Sequence, residues 1–234
     1  MSTPRRRFLS WLGGASLLGA AGTPSLLRAA PASDPSWRGY ATPDDHALPI
    51  SETFDMSWTS RVNGKYKAVF DSPEIADGAA LFRAVAWCDQ YKEVYGTERS
   101  EMSPVLVLRH SAIDLVMTDA YWQRFDLGKE LKLRDSNGKK WAKANPISVA
   151  SAGTTEQAKK YKLETFLASG GIVLACGWAF RFVSSRIQKA DKLEAAAARA
   201  KALEQMIPGV IIQPNGIFAA LRAQEAGCSY IMAS

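Results

Sequence analysis

Gly170-Gly171-Ile172-Val173-Leu174-Ala175-Cys176 is an apolar run, opened by a glycine pair and followed by Gly177-Trp178-Ala179. Five apolar residues without alternation are the signature of a strand buried on both faces of a parallel sheet. The pattern recurs outward in both directions. Pro104-Val105-Leu106-Val107-Leu108 is a second continuous apolar strand, and Tyr66-Lys67-Ala68-Val69-Phe70 a third, stopped by Asp71-Ser72-Pro73. Downstream, Val210-Ile211-Ile212 and Tyr230-Ile231-Met232 bring the set to five.

Between these runs the apolar period becomes helical. Leu81, Val85 and Cys88, with Ala84 filling the stripe, predict a helix over 78–95 that stops at Gly96. Thr154 with Gln157 reads as a capping box, and Leu163, Phe166 and Leu167 give the helix over 155–168 its apolar face. Leu193, Ala197, Ala200 and Leu203 mark a further helix stopped by Pro208-Gly209, and Ile217 and Leu221 lie on the next. Strands alternating with helices predict an α/β fold, a single three-layer α/β/α domain around a mainly parallel five-stranded sheet. Residues 111–150 interrupt the rhythm with Tyr121, Trp122, Phe125 and Trp141, a turn at Ser136-Asn137-Gly138 and the pair Lys139-Lys140. They read as an insertion whose aromatic side chains cover one end of the sheet. Residues 33–64, rich in Pro, Ser and Asp, read as an irregular arm before a domain at 65–234.

Composition narrows the function classes. With 22% charged and 47% hydrophobic residues in 234, the chain is neither disordered, collagen-like nor disulfide-dense. The net charge is +6, but Arg5, Arg6, Arg7 and Arg28 supply four of those charges within residues 1–32, leaving +2. That is too little for a phosphate-binding surface, so no nucleic-acid partner is expected. Arg5-Arg6-Arg7-Phe8-Leu9 resembles the twin-arginine export signal. A glycine-broken apolar stretch over 11–22 follows it, then Ala30-Pro31-Ala32, an A-x-A cleavage pattern with Ser33 as the new N-terminus. The expectation is export, already folded, to the periplasm by the twin-arginine machinery. No G-x-G-x-x-G, P-loop or G-x-S-x-G is present, so nucleotide binding and serine hydrolysis find no motif. No C-x-x-C or zinc-spaced His/Cys cluster is present either.

The last third carries a resemblance. Gly171-Ile172-Val173-Leu174-Ala175-Cys176, then Ile207-Pro208-Gly209-Val210, then Ala226-Gly227-Cys228-Ser229-Tyr230-Ile231 follow in order. This series resembles the DsrE/DsrF-like family, over about 66–234 with 111–150 as an insertion. The resemblance implies a compact α/β/α domain with a five-stranded parallel sheet, assembled into small homo-oligomers. It also implies sulfur carriage, as a persulfide on a Cys at a strand end, between a donor and an acceptor protein.

Open parallel sheets bind ligands beyond the carboxyl ends of their strands. Asp71, His110, Cys176 and Pro214-Asn215 fall there, after the first four strands. Cys176 matches the family's sulfur-carrying position. A helix N-terminus favours a thiolate, the reactive form, whereas a wholly buried Cys behaves as a small inert hydrophobe. His110 could support that thiol, hold a metal or haem, or cap its strand by hydrogen bonding. His46 belongs to the arm. Cys88 reads as core, and a Cys88–Cys228 disulfide is compatible with export. Three readings stand: a sulfur carrier or small-ligand binder centred on Cys176 with His110 and Asn215, a non-enzymatic assembly module with a structural Cys176, or a metal- or haem-binding protein using His110.

Overall fold

A computed structural model describes residues 53–135, 138–148 and 155–234. The leader, its cleavage site, Thr154 and the turn residue Asn137 lie outside the described residues.

The strands are β1 (Tyr66–Ser72), β2 (Met102–Leu108), β3 (Ile172–Cys176), β4 (Ile211–Gln213) and β5 (Ser229–Met232). They form one sheet in the order β4-β3-β2-β1-β5, and every neighbouring pair is parallel. The helices are α1 (Ala79–Tyr95), α2 (Asp119–Arg124), α3 (Leu127–Glu130), α4 (Glu156–Lys159), α5 (Leu163–Ala168), α6 (Gly177–Asp191), α7 (Ala195–Glu204) and α8 (Gly216–Glu225). The expected α/β architecture is therefore the observed one. All residues of β2 and β3 are buried, as the absence of alternation requires.

The two faces are unequal. Ala68, Phe70, Leu106, Leu108, Val173 and Ala175 point into a core shared with α1, α5, α6 and α7. Val69, Val105, Val107, Ile172 and Leu174 point the other way, where α8 contributes Ala219 and Ala223. That thinner layer is completed by Trp58 and Val62, from a 3₁₀ turn over Ser57–Arg61. Trp58 has no exposed surface, so the end of the segment read as an arm is core. Trp58 and Val62, four residues apart, are the one periodic signal in that stretch.

Several local expectations change. The segment after β2 does not cap one end of the sheet; its 3₁₀ helix (His110–Val116), α2 and α3 sink Ile113, Leu115, Val116, Tyr121, Trp122 and Leu127 into the larger core. It is the crossover layer between β2 and β3. The predicted helix 155–168 is two short helices, and the cap is Thr155, whose side chain accepts the Ala158 N–H. On α7 the inward residues are Ala198 and Ala202, while Leu203 is 41% exposed. On α8 they are Ala219, Ala220 and Ala223, leaving Ile217 and Leu221 outside. On α8, packed on the sheet, and on α7, packed on α6, the small residues face inward and the larger ones are left outside.

One buried ion pair fixes the crossover layer. Arg186 of α6 donates to Asp114 Oδ1 at 3.0 Å, to the Tyr121 hydroxyl at 2.7 Å and to Glu130 Oε1 at 2.8 Å. Asp114 also accepts, at its carbonyl, the indole N–H of Trp122 at 2.8 Å. Burial raises the Asp114 carboxyl above its usual range and pushes the Tyr121 phenol up to about 12. Arg186→Ala should leave Asp114 buried without a counter-charge and cost about 3 kcal/mol of unfolding free energy. Tyr121→Phe should cost only about 1 kcal/mol, both read from urea titrations followed by circular dichroism.

Candidate functional site

The chain leaves β1, β2 and β3 toward one face of the sheet, but leaves β4 toward the other, through α8. β3 and β4 are neighbours, with Cys176 paired to Gln213. Adjacent strands whose connections diverge leave a crevice beyond their carboxyl ends, the usual place for a ligand in open α/β sheets. Here Cys176-Gly177 and Gln213-Pro214-Asn215-Gly216 flank that position.

Both flanks are helix starts. Cys176 keeps an extended backbone as the N-cap of α6, and its Sγ accepts the Ala179 N–H at 3.4 Å. Asn215 is the N-cap of α8, its Oδ1 accepting the Phe218 N–H at 2.8 Å. A Cβ on Gly177 would lie 2.6 Å from the Gln213 carbonyl oxygen and 3.0 Å from that of Pro214. Glycine therefore lets the two strand ends close on each other with no room for a side chain between them. The positive ends of two helices meet there, which favours negative charge.

Beside the crevice lies a charged rim. Asp71, 2% exposed near the end of β1, accepts Arg109 Nε at 2.8 Å on Oδ1 and Arg109 Nη2 at 2.9 Å on Oδ2. The Tyr230 hydroxyl of β5 donates to Oδ2 at 2.7 Å. The stem of Arg109 lies against the first residue of α8, since a Cβ on Gly216 would be 2.5 Å from Arg109 Cδ. Leu108 pairs with Ala175, so Arg109 and Cys176 follow as the next residues of adjacent strands. The hydrogen bonds to Asp71 raise the Arg109 guanidinium above its usual range and, likewise, the Tyr230 phenol.

Of the residues singled out in the sequence, Cys176, Asn215 and Asp71 reach this rim. Cys176 is 6% exposed, Asn215 is engaged as a cap, and Asp71 is engaged by Arg109 and Tyr230. His110 follows Arg109 on the rim, exposed, and turns into its 3₁₀ helix at a left-handed φ of +53°. Arg109 and Tyr230 had not been picked out. A cation directly after an all-apolar strand was the available signal for Arg109; Tyr230 becomes visible only once β5 is known to lie beside β1. Cys88, Cys176 and Cys228 are all free thiols, so no Cys88–Cys228 bond joins α1 to the start of β5. Burial pushes the Cys88 thiol up and that of Cys228 to about 11, which disfavours the thiolate at both. Among the described residues no group of three His, Cys, Asp or Glu side chains is placed to hold a metal ion.

No family model matches this chain, and no curated protein is significantly similar to it.

Two outcomes follow from this geometry. Gly177→Ala should destabilise by about 1–3 kcal/mol, because carbonyl oxygens on β4 cannot yield as a side chain would. A carbon-13 tyrosine titration by NMR should show Tyr230 ionising above the ordinary tyrosine range. Asp71→Asn should bring it down, and Arg109→Ala should push it further up. Because the native value is raised, the stabilisation from this hydrogen bond is present below pH about 10 and is lost as pH rises through the native value.

Proposed function

We propose that this chain is an exported sulfur carrier of the DsrE/DsrF-like kind, with Cys176 as the carrying thiol. The observation that supports the reading most is the position of Cys176: the end of an inner strand, the start of α6 and the topological switch point coincide on one sulfur. In the loading step the Cys176 thiolate attacks the outer sulfur of a donor persulfide. A new S–S bond forms on Cys176, the donor's S–S bond breaks, and the donor leaves as a thiolate. An acceptor thiolate reverses the exchange at the outer sulfur, so no external oxidant or reductant is needed. Arg109 and the two helix starts would steady the anionic persulfide. Cys176 is 6% exposed, so loading calls for a small donor or a slender protein segment that reaches the carboxyl ends of β3 and β4. Export through the twin-arginine route, periplasmic residence and homo-oligomeric assembly belong to the same proposal and rest on the leader and the resemblance.

A second reading has its own support. The Cys176 sulfur already accepts the Ala179 N–H, and Ile217 and Leu221 on α8 are 61% and 54% exposed. On that reading Cys176 is a structural cap and α8 an assembly surface.

Incubating the chain with glutathione persulfide and mapping the products by peptide mass spectrometry separates the two. The carrier should gain one sulfur atom at Cys176, transferable to a thiol acceptor; Cys176→Ser should lose that gain, while Cys88→Ser and Cys228→Ser retain it. Alkylation of Cys176 by iodoacetamide only in denaturant, with no sulfur loaded, would overturn the carrier and leave the cap.

A further inference from the structure

The net charge of +2 over residues 33–234 is a difference between unequal parts. Residues 129–143 hold Lys129, Lys132, Arg134, Lys139, Lys140 and Lys143 against Glu130 and Asp135, a net +4, so the remainder carries −2. Directly after α3 this stretch folds into a short antiparallel ribbon. Arg134 and Trp141 are bridge partners, flanked by hydrogen bonds from the Ala142 N–H to the Leu133 carbonyl at 2.9 Å and from the Asp135 N–H to the Lys140 carbonyl at 2.8 Å. A pair that exchanges no hydrogen bond of its own brings its side chains closest. The Arg134 guanidinium accordingly lies over the Trp141 ring, 3.6 Å from its centroid.

Alternation gives the ribbon an inside and an outside. Leu133 packs against the larger core and Ala142 is buried, so Arg134 and Trp141 stand on the outer face. The two acids of the stretch are turned to other partners. Glu130 is held by Arg186, and Asp135 Oδ1 accepts the backbone N–H groups of Lys139 at 3.0 Å and Lys140 at 3.3 Å. Asp135 thus fixes the backbone of the lysine pair while both residues stay exposed. Lys143 pairs with Asp126. Among the described residues Lys132, Arg134, Lys139 and Lys140 are exposed, and no carboxylate forms an ion pair with any of the four.

We propose that the ribbon is a docking surface for an anionic lipid bilayer, independent of any sulfur carriage at Cys176. The ammonium groups of Lys132, Lys139 and Lys140 meet the lipid phosphates, and Trp141 enters the headgroup layer with Arg134 stacked on it. A group of about four Lys and Arg on one surface is enough for such attraction, which acts within about a Debye length of the membrane. An acidic protein would satisfy the charge alone. The bilayer accounts for the ring as well: an indole set among cations suits the membrane–water interface, where Trp is enriched. A guanidinium stacked on an aromatic face also keeps its planar fork of N–H donors for phosphate.

The test is co-sedimentation of the full chain with lipid vesicles. Its background carries Arg5→Gln, Arg6→Gln, Arg7→Gln and Arg28→Gln, so that the leader's charges do not contribute. Phosphatidylcholine vesicles with about one-third phosphatidylglycerol should bind the chain at least about tenfold more tightly than phosphatidylcholine alone, a difference that shrinks as salt rises. Lys139→Glu with Lys140→Glu, surface changes whose fold is checked by circular dichroism, should lower affinity for the anionic vesicles at least about tenfold. Trp141→Ala, which leaves every charge in place, should lower it about threefold or more. No preference for anionic vesicles, or a preference that survives the double lysine change, would overturn the proposal. So would soluble polyglutamate bound as tightly as the anionic vesicles with Trp141→Ala affecting neither, since an acidic protein would then be the occupant.

Discussion

The Asp71 carboxylate accepts hydrogen bonds from two neighbouring strands at once, from Arg109 at the end of β2 and from Tyr230 in β5. A carboxylate 2% exposed needs that much compensation, because a buried charge without partners is strongly disfavoured. Its partners in turn fix the surroundings. Tyr230 ties the edge strand to the sheet, and the stem of Arg109 lies on the first residue of α8. The helix that forms most of one face is thereby seated by the same side chain that closes the rim. Gly177 completes the arrangement by letting β4 approach within a distance that no Cβ permits.

The architecture was legible because its strands are unusually plain. β2 from Pro104 on and β3 throughout are apolar, and both strands are buried throughout, so pattern and structure agree. Helix faces were less legible. In α7 and α8 the inward positions are alanines, and the leucines and isoleucine that drew attention face outward. Hydrophobicity alone favours the larger side chain; close packing, of α8 on the sheet and of α7 on α6, favours the smaller. Trp58 was missed for another reason: one i, i+4 pair with Val62 does not establish a helix, and its burial depends on a sheet face assembled from β1, β2 and β3 and on α8.

The site divides along the same line. Cys176, Asn215 and Asp71 were readable because each sits at the end of an apolar run, and strand ends define the rim of a parallel sheet. Tyr230 was not, because its role depends on β5 returning beside β1 rather than extending past β4, a choice that local sequence does not encode. What distinguishes the two ends of this sheet is chemical. One gathers a thiol, a guanidinium and two helix starts; the other gathers the rings of Tyr66, Trp87 and Tyr91.

The pairing of β1 with β5 also has a consequence for how the chain is made. β1 is the first strand among the described residues and β5 the last, with Ala233 buried, its N–H donated to the Asp71 carbonyl and its own carbonyl accepting from Arg83. Until residues 229–232 have left the ribosome, Asp71 has no Tyr230 and β1 lacks its β5 neighbour. The sheet is completed by a contact between the two strands most distant in sequence, which is the slow kind of step. A protease cut before Ser229 would therefore strip Asp71 of the Tyr230 hydroxyl and β1 of that neighbour.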